Sequence, residues 1–429
     1  MTALKRRSFL ALAGAAGLAA PFAAPLGAHA AGPAAARPRV LVIGGGFGGA
    51  TAAKYIRRFA PEARVTLVER NTRFITCPFS NAVLGGLRSI DSLTHDYKGL
   101  RRHGVKVVHA TVKGIDPAAR RVTLEDGTKL PYDKLVLSPG IDFKWGAQGY
   151  QEADAELAPH AWKAGAQTLL LRKQLEALSD GGVVVEVVPA NPFRCPPGPY
   201  ERASLIAHYL KTHKPRSKLL ILDAKDAFSK QGLFLEGWEA LYKDIVEWVP
   251  AAKDGKVVRI DAKTLTVETE LGTIHKAGVL NVIPQQSAGR IAIDSGLADA
   301  SGWVPVVPKT FQSVKDPDIY VIGDATIAAP QPKSGFTANS QAKVAAAALV
   351  ASLRGLEAPE PLWFNTCYSL LAPDYGITVA GVYRVIEGKV AEVPGSGGVS
   401  PKGAPAHIRA LEAAYAESWY ANLSQDVWA

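Results

Sequence analysis

Gly44-Gly45-Gly46-Phe47-Gly48-Gly49 constrains this chain more than any other stretch. It follows directly on Arg39 to Ile43, a short β-branched run that reads as a buried strand. It leads into Ala50 to Phe59, a small-residue helical stretch closed by Pro61. Gly44, Gly46 and Gly49 satisfy the spacing GxGxxG, where only glycine lets a backbone turn tightly and approach a pyrophosphate at a helix N-terminus. A second strand, Val65 to Val68, ends at Glu69, whose carboxylate is placed to accept from ribose hydroxyls and disfavours a 2′-phosphate. Strand, glycine turn, helix and strand in that order predict a dinucleotide-binding α/β unit for FAD or NAD.

Two later segments extend that reading. Tyr320-Val321-Ile322-Gly323-Asp324-Ala325 resembles the second FAD motif of glutathione-reductase-like flavoproteins, and this selects FAD, with Gly323 and Asp324 at the ribityl chain. A helix from Thr337 to about Leu353 would aim its positive end at the flavin. Between these parts, Lys106 to Val112 and Arg121 to Leu124 read as a small antiparallel insert, and Lys134 to Leu137 as another buried strand. A second α/β unit follows, with helices at Leu169 to Leu178 and Glu201 to Lys211 and strands at Val183 to Val188 and Lys218 to Asp223.

The fold class is therefore α/β, two Rossmann-like domains of the FAD/NAD(P)-binding type plus a C-terminal α+β module. The boundaries are 37–150 and 286–357 for the two parts of the FAD domain, 151–285 for the NAD-like domain and 358–429 for the module. In the last module, Ile408, Leu411, Tyr415 and Trp419 recur at helical spacing and predict a packed apolar face.

The second unit carries no glycine fingerprint. Its strand Val183 to Val188 runs into Pro189-Ala190-Asn191-Pro192-Phe193-Arg194-Cys195-Pro196-Pro197-Gly198-Pro199-Tyr200-Glu201. Prolines lack the N–H groups that would cradle a pyrophosphate, so a nicotinamide nucleotide is disfavoured and electrons must come from another donor. The loop offers a cysteine. The chain has three, Cys77, Cys195 and Cys367, with no CxxC or CxxCH spacing, which excludes a zinc ribbon and covalent haem on this chain; no metal site is expected. In an oxidising compartment three cysteines suggest one disulfide and one thiol with a separate task.

Thr76-Cys77-Pro78-Phe79-Ser80-Asn81, the loop Cys195 to Glu201, and Cys367 together resemble the flavin-binding subunit of flavocytochrome c sulfide dehydrogenase, over nearly the whole chain after residue 30. The resemblance implies that Cys77 bonds covalently to FAD, although a buried structural cysteine is the ordinary role. It implies that Cys195 and Cys367 form a redox disulfide over the flavin, and that Glu201 acts as acid and base. It further implies a small inorganic sulfur substrate and a c-type cytochrome partner subunit, in a heterodimer whose haem sits on the partner only. A sulfide:quinone reductase and a flavoprotein acting on a sulfur-carrier protein are the alternatives.

Residues 1–30 carry Lys5, Arg6 and Arg7, then Ser8-Phe9-Leu10, an Ala/Leu/Gly run and Ala28-His29-Ala30. This resembles a twin-arginine export signal and predicts a periplasmic protein with no integral membrane span. The formal charge of +10 is scattered, without an aromatic-interleaved basic stripe, so nucleic acid is not an expected partner.

Overall fold

The computed structural model describes residues 37–429, so the predicted export signal lies outside the described residues. Five parallel strands form the first sheet, in the order Ile319–Val321, Lys134–Leu137, Arg39–Ile43, Arg64–Val68, Lys106–Val108. Its central strands are almost wholly apolar because helices cover both faces, as a parallel sheet requires. The last strand to join comes from nearly two hundred residues further along, so the chain leaves this sheet and returns to it.

Four parallel strands form the second sheet, ordered Val246–Val249, Lys218–Asp223, Val183–Val188, Val279–Val282. Helices Ala166–Ala177 and Gly198–His213 pack on it, each starting about three residues before the apolar period suggests. The third layer is antiparallel: Trp363–Ala372 pairs with Tyr375–Ile386, which also pairs with Lys389–Glu392. The 23-residue helix Ala406–Trp428 lies against it.

Three expectations need correction. Lys106 to Val112 is not one strand of the antiparallel insert. Lys106–Val108 is the edge of the parallel sheet, and the insert is Val112–Asp116, Arg121–Leu124 and Lys129–Pro131. Periodicity could not separate the two, because each piece is too short to show which neighbour it pairs with. The long helix spans Gly335–Leu353, beginning two residues before Thr337, because Ser334 caps it by accepting from the Thr337 N–H at 3.0 Å. On the terminal helix, Leu411 and Tyr415 are exposed, and the buried face is Arg409, Ala413, Ala416, Tyr420, Leu423 and Val427. Ala413 and Ala416 let this helix approach the sheet, Leu411 and Tyr415 stay outside, and Ile408 and Trp419 are half-buried. Among the described residues no helix is long and apolar enough to cross a membrane, and no group of three or more His, Cys, Asp or Glu could hold a metal.

Candidate functional site

Register brings one half of the site together. Ile43, Val68, Leu137 and Val321 lie level across the first sheet, so the chain emerges from all four strands at one end, at Gly44, Glu69, Ser138 and Ile322, with Gly323 next. This is where an open parallel sheet binds its ligand. Gly44 takes φ +96°, and a Cβ there would lie 2.2 Å from the Ser138 carbonyl oxygen. At Gly49 a Cβ would lie 1.9 Å from the Gly44 carbonyl oxygen, so neither position admits a side chain. Gly46 directly precedes the helix Phe47–Phe59, whose first N–H groups are free for an anion. Each oxygen of Glu69 accepts one backbone N–H, from Gly45 at 2.8 Å and Asn71 at 2.9 Å, which leaves acceptor capacity for hydroxyls. Gly323 has φ +76°, and the buried Oδ1 of Asp324 has no donor among the described residues. A buried acceptor awaiting a hydroxyl, together with a glycine cradle, fits a flavin dinucleotide.

The other half gathers around a cavity of about 820 Å³ of empty space, part of it open to solvent. Cys77, Cys195, Cys367 and Glu201 all line it, with Trp162, Phe336 and Trp419 among the other wall residues. Cys77 lies between the short strand Phe74–Ile75 and the helix Ser80–Leu84, its thiol against the Trp162 carbonyl at 3.4 Å. Cys195 sits at φ +58° in the proline-rich loop, and its N–H donates to the Lys333 carbonyl at 2.7 Å, pinning it beside the start of the helix Gly335–Leu353. Cys367 lies on the strand Trp363–Ala372, where alternation puts Asn365, Cys367 and Ser369 on one face. Its thiol donates to Asn365 Oδ1 at 3.3 Å. The three thiols are free, so the Cys195–Cys367 disulfide implied by the resemblance is not formed here, although both side chains line the same space.

Electrostatics set the site apart. Glu201, in the first turn of the helix Gly198–His213, accepts from the Asn81 side chain at 2.9 Å and the Leu370 N–H at 3.0 Å. Burial raises its carboxyl above the usual range, against those two hydrogen bonds and the charges of Lys230 and Arg202. Burial also raises both Cys195 and Cys367. For Cys367 the Lys230 charge opposes that rise most, followed by hydrogen bonds with the side chains of Ser334 and Asn365. For Cys195 the neighbours Cys367 and Glu201 add to it, and Arg194 opposes it.

Three family models match the chain. Residues 38–173 match the pyridine nucleotide-disulphide oxidoreductases. Residues 168–284 match the central part of the sulfide dehydrogenase [flavocytochrome c] flavoprotein chain, and residues 359–428 match the flavin-binding part of flavocytochrome c sulphide dehydrogenase. The sulfide dehydrogenase [flavocytochrome c] flavoprotein chain of Chlorobaculum thiosulfatiphilum is 67% identical over 45 residues, 94% of that sequence and 10% of this chain. This chain belongs to that family. It is a sulfide-oxidising flavoprotein. The mitochondrial sulfide:quinone oxidoreductase of Dictyostelium discoideum is 26% identical over 74% of this chain and 72% of that one. The sulfide:quinone oxidoreductase structure from Aquifex aeolicus superposes with a TM-score of 0.71 at 20% identity, covering 91% of this chain and 92% of that one, a likeness of fold.

Several residues at the site carry no sequence signal, and Trp419, which the helical period marked, joins them. Arg202 is buried beneath the cavity, donating to Asn81, Asn281 and the carbonyls of His160 and Ala161, with its guanidinium 4.9 Å from the Trp162 ring centre. Lys333 donates to the carbonyls of Asp324 and Thr326 and lies 3.9 Å from the Trp303 ring centre. Lys230 reaches the back of Ser369 from a loop in the second unit. Trp428 donates to the Gly45 carbonyl at 3.2 Å and stacks on His95, so the terminal helix touches the glycine turn. Trp419 is half-buried at the cavity wall beside Phe336 and Tyr368. A lysine between Ser229 and Gln231 reads as surface, and only a tertiary contact shows otherwise.

Proposed function

We propose that the chain oxidises sulfide through a Cys195–Cys367 disulfide and FAD, and passes the electrons singly to a c-type cytochrome subunit after export to the periplasm. The observation that carries this reading is the convergence of Cys77, Cys195, Cys367 and Glu201 on one cavity at the N-terminus of the helix Gly335–Leu353. When bound, the flavin takes up an electron pair and releases it one electron at a time. Gly44, Gly46, Gly49 and Glu69 would hold its nucleotide end, Gly323 and Asp324 the middle, and Cys77 would carry the covalent bond.

The chain's own work is sulfur exchange. Hydrosulfide bonds to one cysteine sulfur, the bond between the cysteines breaks, and the second sulfur leaves as thiolate. Glu201, held partly towards its neutral form by burial, takes the proton of the bound sulfur. With that electron pair accepted by the bound flavin, the disulfide would re-form and release the added sulfur in the zero-valent state, so the net change is loss of two electrons and one proton per hydrosulfide.

Stopped-flow mixing of the holoprotein with sulfide and cytochrome c should show flavin bleaching followed by haem reduction. Bleaching without haem reduction, but with turnover of a short-chain quinone, would move the acceptor to the quinone class named among the relatives. Activity only with a cysteine-bearing carrier protein would move the substrate. Acid precipitation should keep the yellow colour in the pellet, and colour released wholly to the supernatant would remove the Cys77 bond.

A further inference from the structure

Lys230 is a buried cation with no ion-pair partner among the described residues. Its ammonium donates to the Ser369 hydroxyl at 2.9 Å and to the Ile377 carbonyl at 3.4 Å, and the residue is 8% exposed. Its backbone has φ +62°, a conformation that favours glycine, so a lysine stands there against local preference. An ammonium kept out of water is costly unless negative charge develops beside it. The titratable groups facing it are Cys367, Glu201 and Cys195, with Glu412 beyond them. Glu412 is already engaged, accepting from Ser400, Thr378 and Arg409. Ser369 shares a strand face with Cys367, two residues away, and lines the cavity.

We propose that Lys230 is a positioning residue: its ammonium, fixed behind Ser369, supplies the positive charge against which Cys367 leaves as thiolate when hydrosulfide opens the Cys195–Cys367 bond. The proposal rests on the sulfide reading above and adds an asymmetry to it. The incoming sulfur bonds to Cys195, the bond between the cysteines breaks, its electron pair stays on Cys367, and Glu201 takes the proton. The thiol whose thiolate is better stabilised is the faster leaving group. Lys230 opposes the rise of Cys367, whereas Cys195 lies beside groups that raise it further. Burial brings Lys230 down to about 8, so its charge, and with it the assistance to Cys367, declines as pH rises through that value.

The test uses the flavin-loaded protein with Lys230→Met, Lys230→Arg and Ser369→Ala, across pH 6 to 10. One readout is sulfide-dependent flavin reduction, and the other is iodoacetamide labelling of Cys367 and Cys195 in the dithiol-reduced protein, followed by mass spectrometry. In Lys230→Met we expect the labelling midpoint of Cys367 to rise by about one pH unit, and flavin reduction at pH 7 to fall about tenfold. Lys230→Arg should stay within about threefold of wild type and lose the decline near pH 8, because a guanidinium remains charged. Ser369→Ala should move Cys367 in the same direction by less.

An unmoved Cys367 midpoint in Lys230→Met overturns the proposal. If that variant does not accumulate as folded flavoprotein, an unmoved midpoint in Ser369→Ala overturns it instead. If sulfide fails to bleach the wild type, the sulfide reading falls, and labelling still decides whether Lys230 governs Cys367.

Discussion

The two α/β units end comparable strands in a carboxylate, and they use it in opposite ways. Glu69, after the strand Arg64–Val68, receives one backbone N–H on each oxygen and is only partly buried. Asp223, ending the strand Lys218–Asp223, is completely buried and receives four donors: Tyr200 and Trp248 on Oδ2, and the Lys225 N–H and ammonium on Oδ1. A carboxylate offers about four acceptor positions, so Glu69 keeps room for a ribose and Asp223 keeps none. Tyr200, which seals Asp223, also stacks on Phe228 with ring centres 3.5 Å apart. The second unit thus has the architecture of a nucleotide site without the vacancy, and its loop and helix carry Cys195 and Glu201 to the cavity instead. Duplicated architecture does not imply duplicated binding, because a few side chains from the following loop decide whether the sheet end stays open.

The largest test of this contrast lies in the first unit. Gly49→Val places atoms where a Cβ alone would meet the Gly44 carbonyl at 1.9 Å, and should abolish flavin binding, read as the flavin-to-protein absorbance ratio of the purified protein. Full flavin content would mean that the glycine turn is not the nucleotide site.

Next comes Glu201→Gln, which keeps the side-chain size, removes the base and turns one of its two acceptor oxygens into a donor. Sulfide-dependent flavin reduction should slow about a hundredfold with flavin content unchanged, and wild-type rates should rise with pH as the buried carboxyl ionises. Unchanged kinetics would return that helix turn to a purely structural role.

Asp223→Asn sharpens the comparison from the other side. Replacing one acceptor oxygen by a donor facing Tyr200, Trp248 or Lys225 should lower stability by about 1–3 kcal/mol in urea unfolding. It should not create bleaching by NADH, and any such bleaching would show that the unit retains a nicotinamide berth.

A last test within the second unit concerns Glu186, fully buried mid-strand in the second sheet, with both oxygens lacking partners among the described residues. Burial holds it up at about 8, so the folded state binds its proton more tightly than the unfolded one. The stability from this group is present below about pH 4.5 and is lost as pH rises towards 8, by at most about 1.4 kcal/mol per pH unit. Glu186→Gln should therefore match wild type at pH 4 and exceed it at pH 8 in denaturant midpoint. Parallel curves would show that Glu186 is ionised throughout.

Sequence reading succeeded where chemistry is local. The glycine turn and Glu69 are fixed by steric and hydrogen-bonding demands within thirty residues, and Val183–Val188 and Lys218–Asp223 stand where their apolar runs put them. It failed where two packings share one pattern. The run from Lys106 divides between two sheets because its apolar character says nothing about which neighbour it meets. The terminal helix buries Arg409 and exposes Leu411 and Tyr415, since Arg409 finds Glu236 at 2.9 Å and the Pro401 carbonyl at 2.8 Å. No helical period encodes a salt bridge to a residue so far away along the chain.

Taken alone, the sequence determined a nucleotide-binding glycine turn, a second unit stripped of that turn, and three cysteines with an acid near one of them. These follow from backbone conformation and donor availability, which are properties of short segments. Tertiary structure alone decided that Cys77, Cys195, Cys367 and Glu201 share one cavity, that Asp223 is saturated, and that Lys230 lies buried behind Ser369. Burial and charge proximity depend on which surfaces the folded chain brings together, and no short segment contains that information.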